Sequence, residues 1–159
     1  IMSANHVYIS AMRTSKYIAG FFGFYLSMMM GNVHVVCETG AAEVFEELLR
    51  IGPGDVFVGF TFPRYSSRAI KAMRFAKARG AKTIGITDSK ASPYYRVADV
   101  CLFAKSDMVS FLDSMVAPMS LVNALVVAIG IRSREALSDT FKRLENVWSE
   151  FEIYETNES

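Results

Sequence analysis

The chain has 159 residues, 52% of them hydrophobic and 21% charged, and this composition predicts one well-buried domain rather than two. Seventeen basic and sixteen acidic residues give a net charge of +1, so the chain as a whole lacks the positive field that attracts nucleic acid. The two cysteines and two histidines show no metal-ligand spacing, so we expect no disulfide framework, no metal and no cofactor. A reducing, cytoplasmic location fits this cysteine usage.

Five short runs rich in β-branched and aromatic residues alternate with helical patterns along the chain. Continuous apolar strands separated by helices of ten or more residues are typical of a parallel sheet covered on both faces. We therefore expect an α/β fold: a three-layer αβα sandwich with a five-stranded parallel sheet, doubly wound in the flavodoxin-like order. The predicted strands are residues 6–10, 33–37, 56–61, 83–87 and 100–104.

The helical patterns differ in how much apolar surface they present. The pattern over residues 17–30 has a very wide apolar stripe, and its excess over one sheet-facing side predicts contact with a second subunit. Shorter helices are predicted over residues 41–50 and 67–79. The pattern over residues 110–131 predicts a long, buried helix that is kinked or broken at Pro118.

A last helix is predicted over residues 133–151, with apolar residues at alternating spacings of four and three. Two heptads are too few for a free coiled coil, so we expect this helix to dock on the domain or on a second subunit. The chain thus divides into a domain over residues 1–131 and a C-terminal helix and tail over residues 132–159. A homodimer or larger homo-oligomer is expected. We expect no membrane contact, because the apolar stretches are short or interrupted.

Residues 56–67 are the most informative segment, because an apolar strand runs into a hydroxyl-rich turn that opens a helix. A helix start leaves backbone N–H groups unpaired and carries a partial positive charge, which suits a phosphate group. Thr61, Ser66 and Ser67 add hydroxyls, and Arg64 adds a planar cation that can bind two phosphate oxygens. The alternative is that a serine only caps the helix and that Arg64 is a solvated loop residue.

The first strand ends in a similar turn that contains Arg13, Thr14 and Ser15 and also leads into a helix. In a flavodoxin-like sheet, ligands bind beyond the carboxyl ends of strands one and three, where the strand order reverses. Each of these two turns supplies one arginine together with hydroxyls. Their convergence predicts an anion-binding site more strongly than either turn does alone.

Three segments carry a resemblance to a known family: the strand-one turn over residues 12–15, the strand-three turn, and residues 80–89, which are similar to the family segment G-A-x-x-I-x-I-T-D-S. The chain resembles the sugar isomerase (SIS) domain. Residues 62–66 are most similar to the C-terminal effector domain of MurR/RpiR-family bacterial transcriptional regulators. This resemblance implies a domain that senses sugar phosphates and that contacts DNA only through an N-terminal helix-turn-helix domain, which this chain lacks.

The resemblance also implies roles for single residues. Thr61 takes the place of the first Ser in the family's S-x-S-G-x-T phosphate loop, and Ser66 takes the place of its final Thr. Pro63 replaces the second Ser and Arg64 replaces the Gly, so phosphate binding would depend on the arginine more than on backbone amides. Tyr65 lies where isomerising members often carry an acid, and it is a candidate to stack on or hydrogen-bond a sugar.

An aldose–ketose isomerase needs a base that moves a proton between neighbouring carbons. No clear candidate lies beside the phosphate turn, and the nearest acid by topology is Glu38, after the second strand. We therefore favour a non-catalytic effector domain that binds a phosphorylated sugar or amino sugar and shifts the packing of a dimer. Two alternatives stay open: an SIS-type isomerase that uses Glu38 or an acid from a partner subunit, and a purely structural dimerisation domain.

Overall fold

The computed structural model of the protein describes residues 1–37, 42–109 and 112–154. Five strands form its central sheet: β1 (Val7–Ala11), β2 (Val33–Val36), β3 (Val56–Phe60), β4 (Lys82–Thr87) and β5 (Val100–Phe103). All neighbouring pairs are parallel, and the order across the sheet is β2-β1-β3-β4-β5. The predicted flavodoxin-like, doubly wound sheet is therefore confirmed.

The strand order reverses between β1 and β3. The chain leaves β1 toward β2 on one side and returns to place β3 on the other side, with Val7 paired to both Val33 and Val56. Because the two connections leave in opposite directions, a crevice opens beyond the carboxyl ends of β1 and β3. Ala11 and Phe60 are paired at this end of the sheet.

Within the described ranges, five α-helices accompany the sheet: α1 (Ser15–Met29), α2 (Glu43–Glu47), α3 (Ser67–Ala78), α4 (Val116–Arg132) and α5 (Arg134–Glu150), of which α5 packs on α1 and α4. Successive strand residues point to opposite faces. Accordingly, Val7 and Ile9 pack in one core with α1 and α4, whereas Tyr8 packs in a second core with α2 and α3. These two cores make the three layers of the αβα sandwich.

The predicted helix over residues 110–131 is wrong in its first part. Two short strands, β6 (Met108–Val109) and β7 (Leu112–Asp113), pair antiparallel as a hairpin, and α4 begins only at Val116. Pro118 causes no break, because it lies in the first helical turn, where a missing N–H costs no intrahelical hydrogen bond. The helix α2 is also shorter than the predicted range 41–50.

The predicted complete burial of this helix is also wrong. Pro118, Val122 and Ile129 are buried against the domain, but Val127 is 59% exposed and Ile131 is 71% exposed. The outward side of α4 is therefore an apolar surface. Within the described ranges, no single helix is long and apolar enough to cross a bilayer. The segments Val116–Arg132 and Leu137–Glu150 meet that criterion only when combined, and they are bent by 102°.

A buried tyrosine holds α3 against the sheet. Tyr94, in a short 3-10 helix (Pro93–Arg96), is fully buried, and its hydroxyl donates to the carbonyl oxygen of Ala69 at 3.3 Å. Burial raises the pKa of this hydroxyl far above its ordinary value. The ring lies against Gly59 and Gly85, where a Cβ atom at Gly59 would approach the tyrosine oxygen to 2.6 Å. This packing positions the first turn of α3, which borders the site.

Candidate functional site

A cavity opens at the predicted position, beyond the carboxyl ends of β1 and β3. Its empty space, counted out to the open mouth and including solvent-open volume, is about 380 Å³. The turns after β1 and β3 and the first residues of α1 form most of its wall, and the β7 strand and the start of α4 close one side. The lining residues are Met12, Arg13, Thr14, Ser15, Phe60, Thr61, Phe62, Pro63, Arg64, Ser66, Asp113 and Met115.

Three hydroxyls line this cavity without a protein partner. Ser15 and Thr61 are buried, whereas Thr14 is exposed at the start of α1. Thr14 occupies the N-cap position of α1, but its side chain makes no capping hydrogen bond. Among the described residues, none of these three hydroxyls is hydrogen-bonded to another group of the chain. Because these hydroxyls line the open cavity and have no partner in the described part of the chain, they are available to a ligand.

The hydroxyl of Ser66 has a structural role as well as a place in the wall. It is the N-cap of α3 and accepts a hydrogen bond from the backbone N–H of Ala69 at 3.4 Å. The capping interpretation of the sequence is thus correct for Ser66. Ser67 lies outside the cavity, in a groove beside it. Of the three predicted hydroxyls in this turn, Thr61 is therefore the one that remains free in the cavity.

Both predicted arginines have a left-handed backbone conformation. The φ angle is 58° at Arg13 and 67° at Arg64. This region is unfavourable for a residue with a Cβ atom and usually belongs to glycine. Arg64 stands where the resembled phosphate loop has its Gly, so the chain keeps the glycine backbone shape and adds a cation. Such backbone strain concentrates at ligand sites, where the surrounding structure holds it in place.

Arg64 is held by an acidic residue that the sequence reasoning missed. Its guanidinium donates to Asp113 Oδ2 at 2.7 Å; the arginine side chain is 56% exposed and the aspartate side chain is 13% exposed. The other carboxylate oxygen, Oδ1, is buried and has no hydrogen-bond partner within the described part of the chain. The two residues are 49 positions apart, and no local pattern connects them.

A second, wider groove continues from the cavity and shares Met12, Arg13 and Ser66 with it. Lys16, from the first turn of α1, and Arg68, from the first turn of α3, also line this groove. The cations and the two helix starts make the connected space positive. An anion at the cavity would therefore be attracted by side chains and by both helix dipoles.

Two other predicted residues are not part of the cavity wall. The Tyr65 hydroxyl donates to Asp88, 2.9 Å from one carboxylate oxygen and 3.1 Å from the other. Burial and this contact with Asp88 raise the pKa of Tyr65. Asp88 also accepts hydrogen bonds from the hydroxyls of Thr87 and Ser89. Glu38 lies outside the described residues.

The chemistry available in the cavity is that of an anion-binding site. It combines two arginines, free hydroxyls and two helix starts, and the one carboxylate in its described wall, Asp113, is paired with Arg64. Within the described ranges, no group of three or more His, Cys, Asp or Glu side chains is placed to bind a metal ion. The geometry thus suits a phosphate ester better than it suits proton transfer.

Comparison with known proteins identifies the family of this fold. The family model of the SIS domain matches residues 1–128. The sugar isomerase domain of an RpiR transcription factor from Sphaerobacter thermophilus is 30% identical in sequence and superposes with a TM-score of 0.85, covering 92% of this chain and 81% of that chain.

Two further relatives are more distant. An uncharacterized HTH-type transcriptional regulator of Caldanaerobacter subterraneus is 28% identical over 97 residues, which are 58% of this chain and only 33% of that protein. The NanR protein of Vibrio vulnificus, complexed with ManNAc-6P, has the same fold with a TM-score of 0.73 at 14% identity, covering 92% of this chain and 58% of that chain. The chain belongs to the SIS domain family, with the sugar isomerase domains of RpiR-type transcription factors.

Proposed function

We propose that this chain is the effector domain of a bacterial transcriptional regulator and that it binds a phosphorylated sugar or amino sugar without transforming it. The observation that carries the proposal is the convergence of Arg13 and Arg64 in one cavity, together with the unpartnered hydroxyls of Thr14, Ser15 and Thr61. Two cations with several hydroxyl donors match the three oxygens and the negative charge of a phosphate ester.

The comparison with NanR supports a phosphorylated sugar as the ligand, because that protein has the same fold and was solved as a complex with ManNAc-6P. In this chain the phosphate lies between the two arginines, and the sugar extends into the groove lined by Lys16 and Arg68. Arg13 lines both the cavity and the groove, so its side chain can contact both the phosphate and the sugar of the ligand.

Two features favour binding over isomerisation. The single acid in the described cavity wall, Asp113, is already paired with Arg64. The Tyr65 hydroxyl, at the position where isomerising relatives often carry an acid, is engaged by Asp88. A catalytic base must be within hydrogen-bond reach of the proton that it removes. In the alternative function, an isomerase, Glu38 is the candidate base. A turnover assay tests that alternative directly.

The proposed regulator acts in the cytoplasm as a homodimer and binds DNA through a helix-turn-helix domain outside this chain. Its subunit contact lies on α1, α4 and α5, where Tyr25, Val127, Ile131 and Phe141 border an apolar groove. In this proposal residues 132–159 form a C-terminal helix and tail that dock on the second copy. A ligand that binds two dimer arrangements unequally shifts their populations, which relays its presence to the DNA-binding part.

The test is a thermal-shift screen of the purified chain with sugar phosphates and with their unphosphorylated parents. A ligand that binds only the folded state raises the melting temperature. We expect a shift that requires the phosphate group. Calorimetric titration of Arg64→Ala should then show an affinity loss of about 1.5 to 3 kcal/mol, or roughly 10- to 150-fold, for one charge-assisted hydrogen-bonded group.

The control variant is Arg74→Ala, which removes an exposed arginine from the outer side of α3 and should leave affinity unchanged. An Arg64→Ala variant that binds as tightly as the parent would place the site elsewhere. Steady conversion of a bound aldose phosphate to its ketose would support the isomerase instead. If no compound shifts the melting temperature, the result would favour the alternative that the chain is a purely structural dimerisation domain.

A further inference from the structure

The chain has two histidines, and the fold brings them together. His6 directly precedes β1, and His34 lies in β2, 28 residues later. The parallel register pairs Tyr8 with His34, which places the two imidazoles on the same face of neighbouring strands. The Nδ1 atom of His6 is 3.2 Å from the Nε2 atom of His34, and both side chains are exposed. Sequence spacing does not reveal this pair.

The separation of these nitrogens matches that of two ligands on one metal ion. Zinc binds imidazole nitrogen at about 2.0 to 2.1 Å with tetrahedral angles, which separates two ligand nitrogens by about 3.3 Å. Without a metal, one nitrogen of the pair carries a hydrogen and donates a hydrogen bond to the other nitrogen. Coordination of a metal through these two nitrogens would require the ring protons to lie on the outer nitrogens, Nε2 of His6 and Nδ1 of His34.

The surrounding residues hold both rings in this arrangement. The ring of Tyr8 stacks on the His34 ring with centroids 4.8 Å apart and an interplanar angle of 20°. The backbone N–H of His6 donates to Asp55 Oδ1 at 3.1 Å, and the other carboxylate oxygen accepts from the N–H of Gly52 at 2.8 Å. Asp55 is buried and occupied by these contacts, so it orients the backbone rather than adding a ligand.

We propose that His6 and His34 form a two-histidine site for one divalent transition-metal ion such as Zn²⁺. Imidazole nitrogens favour zinc, copper and nickel over hard ions such as Mg²⁺. Within the described ranges, no third His, Cys, Asp or Glu completes the site, so water fills the remaining coordination positions. The ion connects the edge strand β2 to β1 at the amino end of the sheet, opposite the sugar-phosphate cavity.

The experiment is calorimetric titration of the chain, without a polyhistidine tag, with ZnCl₂. We expect one ion per chain. His6→Gln and His34→Gln should each weaken binding by more than about tenfold, because even the loss of an outer-shell partner costs 10- to 100-fold. Both histidines are exposed, so the variants should retain the circular dichroism spectrum of the parent. Cys37→Ser, at the other end of β2, is the control and should bind zinc like the parent.

A crystal soaked with zinc should show one anomalous peak between His6 Nδ1 and His34 Nε2. Three results would each overturn the site: no zinc uptake by the parent chain, affinity that neither histidine variant changes, or one ion for every two chains. The titration needs no sugar phosphate. Its outcome is therefore independent of the proposed effector function.

Discussion

The Arg64 guanidinium donates to Asp113 Oδ2 at 2.7 Å and so joins the turn after β3 to the hairpin strand β7 across the cavity wall. In the proposed binding mode, a phosphate group between the two arginines would compete with this carboxylate for the same donor. If the proposed phosphate site is correct, the ion pair would couple ligand binding to the position of the hairpin. It also places a negative charge in the wall of a cavity that otherwise favours anions.

Replacing Asp113 by asparagine should tighten phosphate binding. The change removes the competing charge and leaves Arg64 free to turn toward the ligand. We expect a gain of about tenfold, equivalent to about 1.4 kcal/mol. The measurement is calorimetric titration with the sugar phosphate found in the screen. The control is Asp107→Asn, which neutralises an exposed carboxylate of the same segment. Weaker binding by Asp113→Asn would mean that the aspartate positions Arg64 for the ligand.

Replacing Arg13 by glycine should stabilise the chain and weaken its ligand binding. Glycine relieves the cost of the left-handed φ angle of 58°, and the net gain should be about 0.5 to 1 kcal/mol after the added flexibility of the unfolded chain. The same change removes a cation that lines both the cavity and the groove. Urea unfolding and titration measure the two effects separately. Arg13→Lys is the control, since it keeps both the charge and the strain; a destabilised glycine variant would contradict the strain argument.

The stability of the chain should depend on pH through Asp99. Its hydrogen bond from Lys77 and those from Thr83 outweigh the effect of burial and lower the pKa of the carboxyl group from 3.8 to about 2. A carboxyl group with a lowered folded-state pKa stabilises the fold above its ordinary pKa. That contribution is lost as the pH falls from about 4 toward 2.

Asp99→Asn should therefore lower the free energy of unfolding at pH 7, and the difference from the parent should shrink as the pH falls below 4. Urea unfolding at pH 7, 5 and 3 measures this trend. Asp107→Asn is the matched control, because the Lys105 and Asp107 side chains are 81% and 70% exposed and such pairs contribute little. A difference that stays constant across these pH values would exclude the linkage.

The apolar side of α4 predicts self-association. Sedimentation equilibrium at micromolar concentration should show a dimer of the 17.7 kDa chain. Val127→Asp and Ile131→Asp should each shift the equilibrium to the monomer, because each would place a charge in the proposed apolar contact. Leu49→Asp changes an exposed apolar residue next to α2, on the other face of the sheet, and should remain dimeric. A parent chain that sediments as a monomer would disprove the interface.

The five strands could be predicted to within one or two residues because buried parallel strands are continuous apolar runs. The start of α4 could not be predicted in the same way. The residues before Val116 are apolar enough for a buried helix. A proline within such a run predicts an internal break, whereas Pro118 lies in the first turn of α4. Local apolar character does not distinguish a short hairpin from the beginning of a helix.

By itself, the sequence determined the parallel sheet, the two arginine-bearing turns after the first and third strands and the resemblance to the SIS domain, because each depends on patterns within a few residues. Only the tertiary structure decided which of these polar groups have partners. The pairing of Arg64 with Asp113, the engagement of Tyr65 by Asp88 and the approach of His6 to His34 join residues that are 23 to 49 positions apart. Such contacts follow from strand order and register, which no short stretch of sequence specifies.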